Sequence, residues 1–294
     1  MTGPLLAAAT ETLAAAGVAT PRADAELLLA ALLGVPRGRL LTASEPPASA
    51  RAEYDRWVGR RAAREPLQHI TGRAYFRHVE LAVGPGVFVP RPETELLVDA
   101  VLPHLREVER PAVVDLCAGS GALAVAIADE LPGASIVAVE HSAAAVRWLT
   151  RNAAGTGVQV VAGDVRDPEL LRPLYRQADA VVANPPYVPA ATEVAPEVLA
   201  DPGDAVFAGA DGLELMPAVT ARAALLLRPG GVFAMEHDAS HQPAVLTMLT
   251  GDGTWSRVEP RTDLAGRPRY VVAVRGQGVD DGVNDPDARA GHHR

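Results

Sequence analysis

The chain has 294 residues, 48% of them hydrophobic, with a formal net charge of −9 and a single cysteine, Cys117. That length holds one large domain and a small one; a lone cysteine excludes internal disulfides and cysteine-rich zinc sites and fits a reducing cytosol. The acidic balance argues against a main partner with a phosphate backbone, whose binding rests on cationic side chains, and no apolar run reaches the roughly 18 residues that cross a bilayer.

Every basic residue apart from histidine is arginine, which reads as a coding bias without functional weight. The alanine-rich start lacks the basic n-region of a signal peptide. A cytoplasmic protein with no membrane partner is therefore expected.

Residues 1–72 read as helices. In "TPRADAELLLAALLG" Thr20 stands at the N-cap, Pro21 at the first helical position and Gly34 at the C-terminal end. Further on, Tyr54, Trp57, Val58 and Ala62 recur at helical spacing. Arg56, Arg60, Arg61 and Arg64 cluster on that same helix and read as a solvated face. Residues 73–90 alternate and contain Gly84-Pro85-Gly86, a hairpin signal and a connector between domains.

The pattern changes in 91–275. A helix containing Leu96, Leu97, Ala100, Val101 and Leu105 leads to strands at 112–117, 135–139, 158–162, 180–183 and 231–236. Helices at 121–131, 142–154, 214–228 and 241–250 fall between or after them. Such alternation predicts an α/β fold with a mostly parallel sheet covered on both faces. The last two strands, "TWSRVEP" and "RYVVAVR", are joined by a turn-rich segment and should be antiparallel. The polar tail, 276–294, is expected to be disordered, with no metal role for His292 or His293.

"VVDLCAGSGALA" puts a glycine-rich turn between a strand and a helix, where helix N-terminal N–H groups can face a ligand. Glu140 ends the next strand, about 20 residues on, where a carboxylate can bind ribose hydroxyls. Alone, this fits a nicotinamide enzyme or an S-adenosylmethionine enzyme. Asp115 at the strand end favours the second. It would repel a pyrophosphate and could hold a cationic amino-acid group, directly or through water. Asp164, after the third strand, is placed to accept from an adenine amino group, with Val165 beside it. Asp115, Glu140 and Asp164 thus outline an adenosine-shaped site at three strand ends.

"NPPY", Asn184-Pro185-Pro186-Tyr187, follows the fourth strand and opens on the same crevice. Its prolines stiffen the chain. A planar –NH2 group has a delocalised, weakly nucleophilic lone pair. Two fixed acceptors, the Asn184 side-chain oxygen and the Pro185 carbonyl, would orient that lone pair toward a methyl electrophile, with Tyr187 against the flat group. No metal is needed.

The chain resembles the HemK/PrmC family of protein-(glutamine-N5) methyltransferases. The resemblance is carried by "EPLQHITG", "FVPRPETE", "DLCAGSGALA", "NPPY", "FAGADGLEL", "LRPGGVFAME" and "DLAGRPRYVVA", across about residues 55 to 275. It implies a class I, Rossmann-like, seven-stranded sheet with an antiparallel last strand over 91–275. It also implies an N-terminal helical substrate-docking domain (1–72) and a β-hairpin linker (73–90). The cofactor would be S-adenosyl-L-methionine, leaving S-adenosyl-L-homocysteine. The substrate would be the glutamine of the Gly-Gly-Gln loop in class 1 peptide chain release factors, with a monomer expected and no direct nucleic-acid binding.

By position, Cys117, Ala118, Gly119, Ser120, Gly121, Glu140, Val165 and Asn184 would contact the cofactor. Asn184 to Tyr187 would hold the glutamine. Phe88, Arg91, Pro92 and Glu93 would line the site near the hairpin. Three positions depart from the family: Cys117 for the usual first loop glycine, Glu140 for the commoner aspartate, and His237 where a glycine is typical. Two other substrates compete: a ribosomal-protein glutamine, and an adenine or guanine amino group, which would call for a basic channel and base flipping.

Overall fold

A computed structural model describes residues 2–42, 46–251 and 253–277. Residues 278–294 of the expected tail, with His292 and His293, lie outside the described residues.

The N-terminal unit contains α1 (Gly3–Ala15), α2 (Pro21–Leu33), α3 (Ala48–Ala62) and the short α4 (Leu67–Thr71). Leu13, Leu28, Leu29 and Tyr54 are its fully buried centre. The Tyr54 hydroxyl donates to the Ala25 carbonyl at 2.9 Å, so the one polar atom of that ring is satisfied. Helix α2 stops at Gly34, which takes the left-handed conformation at φ 64°. Thr20 sits at the N-cap position, but its hydroxyl donates to Asp24 Oδ1 at 2.8 Å and caps no N–H.

The arginines are not a uniformly solvated face, and Arg64, expected on the same helix, lies past the end of α3 at φ 68°. Arg61 is only 7% exposed, and its Nε donates to Asp24 at 2.7 Å. Arg60 is paired with Glu65 and Arg56 with Glu53. Arg64 and Arg61 both reach Glu197, in the large domain.

Strands β1 (Arg73–Phe76) and β2 (Val79–Ala82) form the hairpin, paired Phe76 to Val79 and Arg73 to Ala82. Its turn is Arg77-His78, with Arg77 at φ 51°. Gly84-Pro85-Gly86 lies after the hairpin and makes no turn within it. A Cβ at Gly84 would stand 2.7 Å from the Trp148 ring, so this glycine serves close packing. Arg77 ties the turn to Glu130 and, at 2.8 Å, to Asp99.

The large domain continues with α5 (Glu95–Leu105), β3 (Ala112–Leu116), α6 (Ala122–Glu130), β4 (Ser135–Glu140), α7 (Ala143–Ala153), β5 (Gln159–Ala162) and β6 (Ala178–Ala183). Then come α8 (Gly203–Val206), α9 (Met216–Leu226), β7 (Leu227–Glu236), α10 (Gln242–Thr250), β8 (Trp255–Thr262) and β9 (Pro268–Arg275). The seven-stranded sheet has the order β5-β4-β3-β6-β7-β9-β8. All neighbouring pairs from β5 to β7 are parallel, and β9 runs antiparallel to both β7 and β8.

Successive strand residues face opposite sides. Val113, Ile136, Ala180 and Val232 pack with α5, α6 and α7; Val114, Val137, Val181 and Phe233 pack with α9 and α10. Burial on both faces explains why these strands read as continuous apolar runs. The strand order reverses between β3 and β6, which opens a crevice at their C-terminal ends.

Candidate active site

A cavity of about 250 Å³ occupies that crevice, over the ends of β3, β4 and β6. Its floor is the β3–α6 loop. Cys117, Gly119 and Gly121 all hold positive φ, at 62°, 56° and 84°. Three left-handed residues curl the backbone tightly enough to bring Cys117, Ala118, Gly119 and Ser120 onto the wall. A Cβ at Gly119 would meet no atom within 4 Å, so this glycine leaves ligand space open. Gly121 faces away from the cavity. A Cβ there would stand 2.5 Å from Leu149 Cδ1, so the glycine seats the loop on α7. Cys117 accepts a conformation that favours glycine. Burial, with Glu140, Asp115 and Asp164 nearby, pushes its thiol well up, so it stays protonated.

Glu140 fixes the loop. Its Oε2 accepts from the Gly119 N–H and its Oε1 from the Ser142 N–H, both at 2.8 Å, and it lies on the cavity wall. Asp115 is placed differently from a ligand-facing acid. It is fully buried under the loop and absent from the wall, with Oδ2 accepting from the Ala124 N–H at 3.1 Å. Burial pushes its carboxyl up to about 8, against the Ala124 bond and aided by Glu140. Its role in this structure is to hold the first turn of α6.

Asp164 and Val165 line a second cavity of about 200 Å³ that shares Cys117, His141 and Pro186 with the first. Asp164 carries its own counter-ion: Arg166 Nη2 lies 2.6 Å away and holds the carboxyl down at about 2. The two cavities adjoin through the shared residues, with the glycine loop, Glu140 and Asn184 on the first and Asp164 on the second. Their combined size and the open glycine wall fit an adenosine-bearing ligand, and the N-terminal turn of α6, Ala122 and Leu123, abuts the first. Among the described residues no cluster of three or more His, Cys, Asp or Glu side chains is arranged to hold a metal.

Asn184, Pro185, Pro186 and Tyr187 line the same cavity as the loop. The Asn184 Nδ2 donates to Thr94 Oγ1 at 3.1 Å, Thr94 Oγ1 donates to Glu236 Oε2 at 2.7 Å, and the Tyr187 hydroxyl donates to Glu236 Oε1 at 2.8 Å. Burial and the Glu236 carboxylate push the Tyr187 phenol far up, so it remains a donor. The segment "FAGADGLEL" explains itself here. Gly212, at φ 77°, lies against the Tyr187 carbonyl, and a Cβ would come within 2.3 Å of that oxygen. His237, in place of the family's glycine, is buried at the end of β7 and its backbone N–H bonds the Arg269 carbonyl at 2.9 Å.

Phe88 and Arg91 are on the cavity wall, with the Arg91 guanidinium 4.9 Å from the Phe88 ring centre and 2.6 Å from buried Asp201. Pro92 is exposed, and neither it nor Glu93 is on the wall. The segment after Tyr187 closes the cavity with Val194 and Val198. It is pinned twice. Glu197 takes Arg61 from α3 and Arg64 from just past its end, and Asp201 takes Arg91 and the Val89 N–H. Sequence reading missed Thr94, Glu236, Glu197 and Asp201. Two of them had a signal: Thr94 lies inside "PRPETE", and Glu236 ends the late strand.

Residues 4–72 match the PrmC N-terminal domain family and residues 79–205 the methyltransferase small domain family. A release factor glutamine methyltransferase of Mycolicibacterium smegmatis is 50% identical over 91% of this chain and 95% of its own. One of Streptomyces coelicolor is 48% identical over 91% and 96%. A 4-amino-L-phenylalanine/4-methylamino-L-phenylalanine methyltransferase of Streptomyces pristinaespiralis is 41% identical over 86% and 88%. Among solved structures, the hMettl16 catalytic domain, crystallised with an RNA hairpin, shares the fold at a TM-score of 0.52 and 14% identity, over 68% of this chain and 77% of its own.

Proposed function

The chain belongs to the release factor glutamine methyltransferase family, and from that premise we propose the reaction in detail: one methyl group passes to the side-chain amide nitrogen, N5, of the glutamine in the Gly-Gly-Gln loop of class 1 peptide chain release factors. The observation that carries this reading is the meeting of two segments in one cavity. Asn184 and Pro185 line it together with the Cys117–Ser120 loop and Glu140.

S-adenosyl-L-methionine supplies the electrophile, a methyl group on a sulfonium, and leaves as S-adenosyl-L-homocysteine. The residues of this chain do the rest. The Cys117–Ser120 loop and the N-terminus of α6 hold the amino-acid end, Glu140 binds ribose hydroxyls, and Asp164 with Val165 takes the adenine edge. Asn184 Oδ1 and the Pro185 carbonyl accept the two amide hydrogens, so the nitrogen lone pair points across the cavity. Tyr187 and Phe88 flank the planar amide. The proton displaced when the N–C bond forms leaves through the acceptor side to water, so no strong base is required. The α1–α4 unit serves as the docking domain for the release factor and the β1–β2 hairpin as its link to the catalytic domain. The working unit in this reading is a monomer, and a release factor as substrate implies a cytoplasmic reaction. Among the described residues no helix is long and apolar enough to cross a membrane.

The relative that methylates an aromatic amine gives the second reading: a free arylamine in the same acceptor pair. Incubation with labelled S-adenosylmethionine and three substrates separates them: a release factor, its loop Gln→Ala variant, and 4-amino-L-phenylalanine. Label on the intact release factor alone supports the proposal. Equal label on both release factors, or label only on the arylamine, overturns it. Ribosomal proteins in the same assay test the remaining glutamine substrate.

A further inference from the structure

A side-chain amide presents oxygen and nitrogen in nearly equivalent positions, and its surroundings decide which one faces a ligand. At Asn184 the decision is traceable. Glu236 is 1% exposed and Thr94 is 4% exposed, so their polar atoms have few alternatives to one another. Both carboxylate oxygens of Glu236 accept, one from the Thr94 hydroxyl and one from the Tyr187 hydroxyl. Glu236 therefore takes the single Thr94 proton at 2.7 Å. The Thr94 oxygen is left with lone pairs, and only the NH2 end of Asn184 completes it, at 3.1 Å. The Asn184 oxygen is then the end that meets the cavity. The other carboxylate oxygen of Glu236 holds the Tyr187 hydroxyl at 2.8 Å.

We infer that Glu236, acting through Thr94, is the positioning residue that turns the Asn184 amide oxygen-outward, and that the same carboxylate fixes the Tyr187 ring. One buried acid from β7 would thus set both ends of "NPPY", with a relay residue from the turn before α5. The inference rests on the proposed role of Asn184 as an acceptor for the substrate –NH2. It gives "PRPETE" a mechanical reason: Thr94 must be a hydroxyl residue at that place. Burial raises the Glu236 carboxyl, and the hydrogen bonds from Thr94 and Tyr187 act against that rise.

The test is a double-mutant cycle on the full chain, with initial rates against a release factor. Thr94→Val removes the relay at nearly constant volume, Thr94→Ser keeps it, and Asn184→Ala removes the group acted on. Thr94→Val should lower kcat by about tenfold or more, with KM for S-adenosylmethionine within about twofold of wild type. Thr94→Ser should retain most of kcat. In the Asn184→Ala background, Thr94→Val should cost nothing further. A Thr94→Ser variant as slow as Thr94→Val overturns the proposal, as does an equal Thr94→Val loss in both backgrounds with Asn184→Ala itself slow. Wild-type turnover in Asn184→Ala overturns the acceptor role of Asn184, and the positioning proposal with it. A purely structural Thr94 would lower stability in both backgrounds alike and would be seen in melting curves without the kcat dependence on Asn184.

Discussion

Glu197→Gln should loosen the contact between the helical unit and the segment that closes the cavity. Glu197 receives Arg61 Nη2 at 2.9 Å, Arg64 Nε at 2.7 Å and Arg64 Nη2 at 2.8 Å. The Arg64 bonds, with help from Arg61, hold its carboxyl at about 2 against an ordinary 4.5. A difference of that size is a ceiling of about 3 kcal/mol of stability at neutral pH. The Arg64 side chain is 27% exposed and Glu197 19%, so screening leaves about 1–2 kcal/mol. The sign follows from proton binding: the unfolded chain protonates Glu197 below 4.5, while the folded chain resists to about 2. The contribution is therefore full above about pH 5 and fades as pH falls toward 2. Urea unfolding of wild type and Glu197→Gln at pH 7 and pH 3 reads it. The gap should be about 1–2 kcal/mol at pH 7 and less than half that at pH 3. No gap at pH 7, or one as large at pH 3, would refute the reasoning.

Asn184→Ala should cut turnover by about 10² or more with the fold intact, measured as initial rates beside circular dichroism. Gly212→Ala should impair folding or turnover severely, because its Cβ meets the Tyr187 carbonyl and φ is 77°; wild-type melting and rate together would contradict this. Cys117 should react with iodoacetamide far more slowly than a free cysteine at pH 7.5, since its thiol is pushed up, and S-adenosylhomocysteine should slow it further. Fast labelling unaffected by S-adenosylhomocysteine would remove Cys117 from the cavity wall.

The alternating strands and helices were legible because the central strands are buried on both faces and their runs are mostly apolar. β6 is buried at every position, and "AVVA" says so directly. The hairpin turn was misplaced because Gly-Pro-Gly has turn composition, whereas the chain turns at Arg77-His78 with a non-glycine residue at positive φ. There, Arg77 is compensated by Asp99 and Glu130, partners that local sequence does not reveal. The arginines in and just past α3 look solvated for the same reason: Glu197 lies more than a hundred residues away. The "NPPY" wall was readable from proline stiffness. Its support was not, because Thr94 and Glu236 come from segments 142 residues apart and meet only across the sheet end. Asp115 misled because a strand-end acid beside a glycine loop can face either the ligand or the helix behind it. Here it bonds the Ala124 N–H.

The most direct test of the central claim is fragmentation mass spectrometry of a release factor after incubation with this protein and S-adenosylmethionine. The account predicts one added methyl group, on the side chain of the Gly-Gly-Gln glutamine, present with wild type and absent with Asn184→Ala. A methyl group on any other residue, or none on the release factor while 4-amino-L-phenylalanine is methylated, would contradict it.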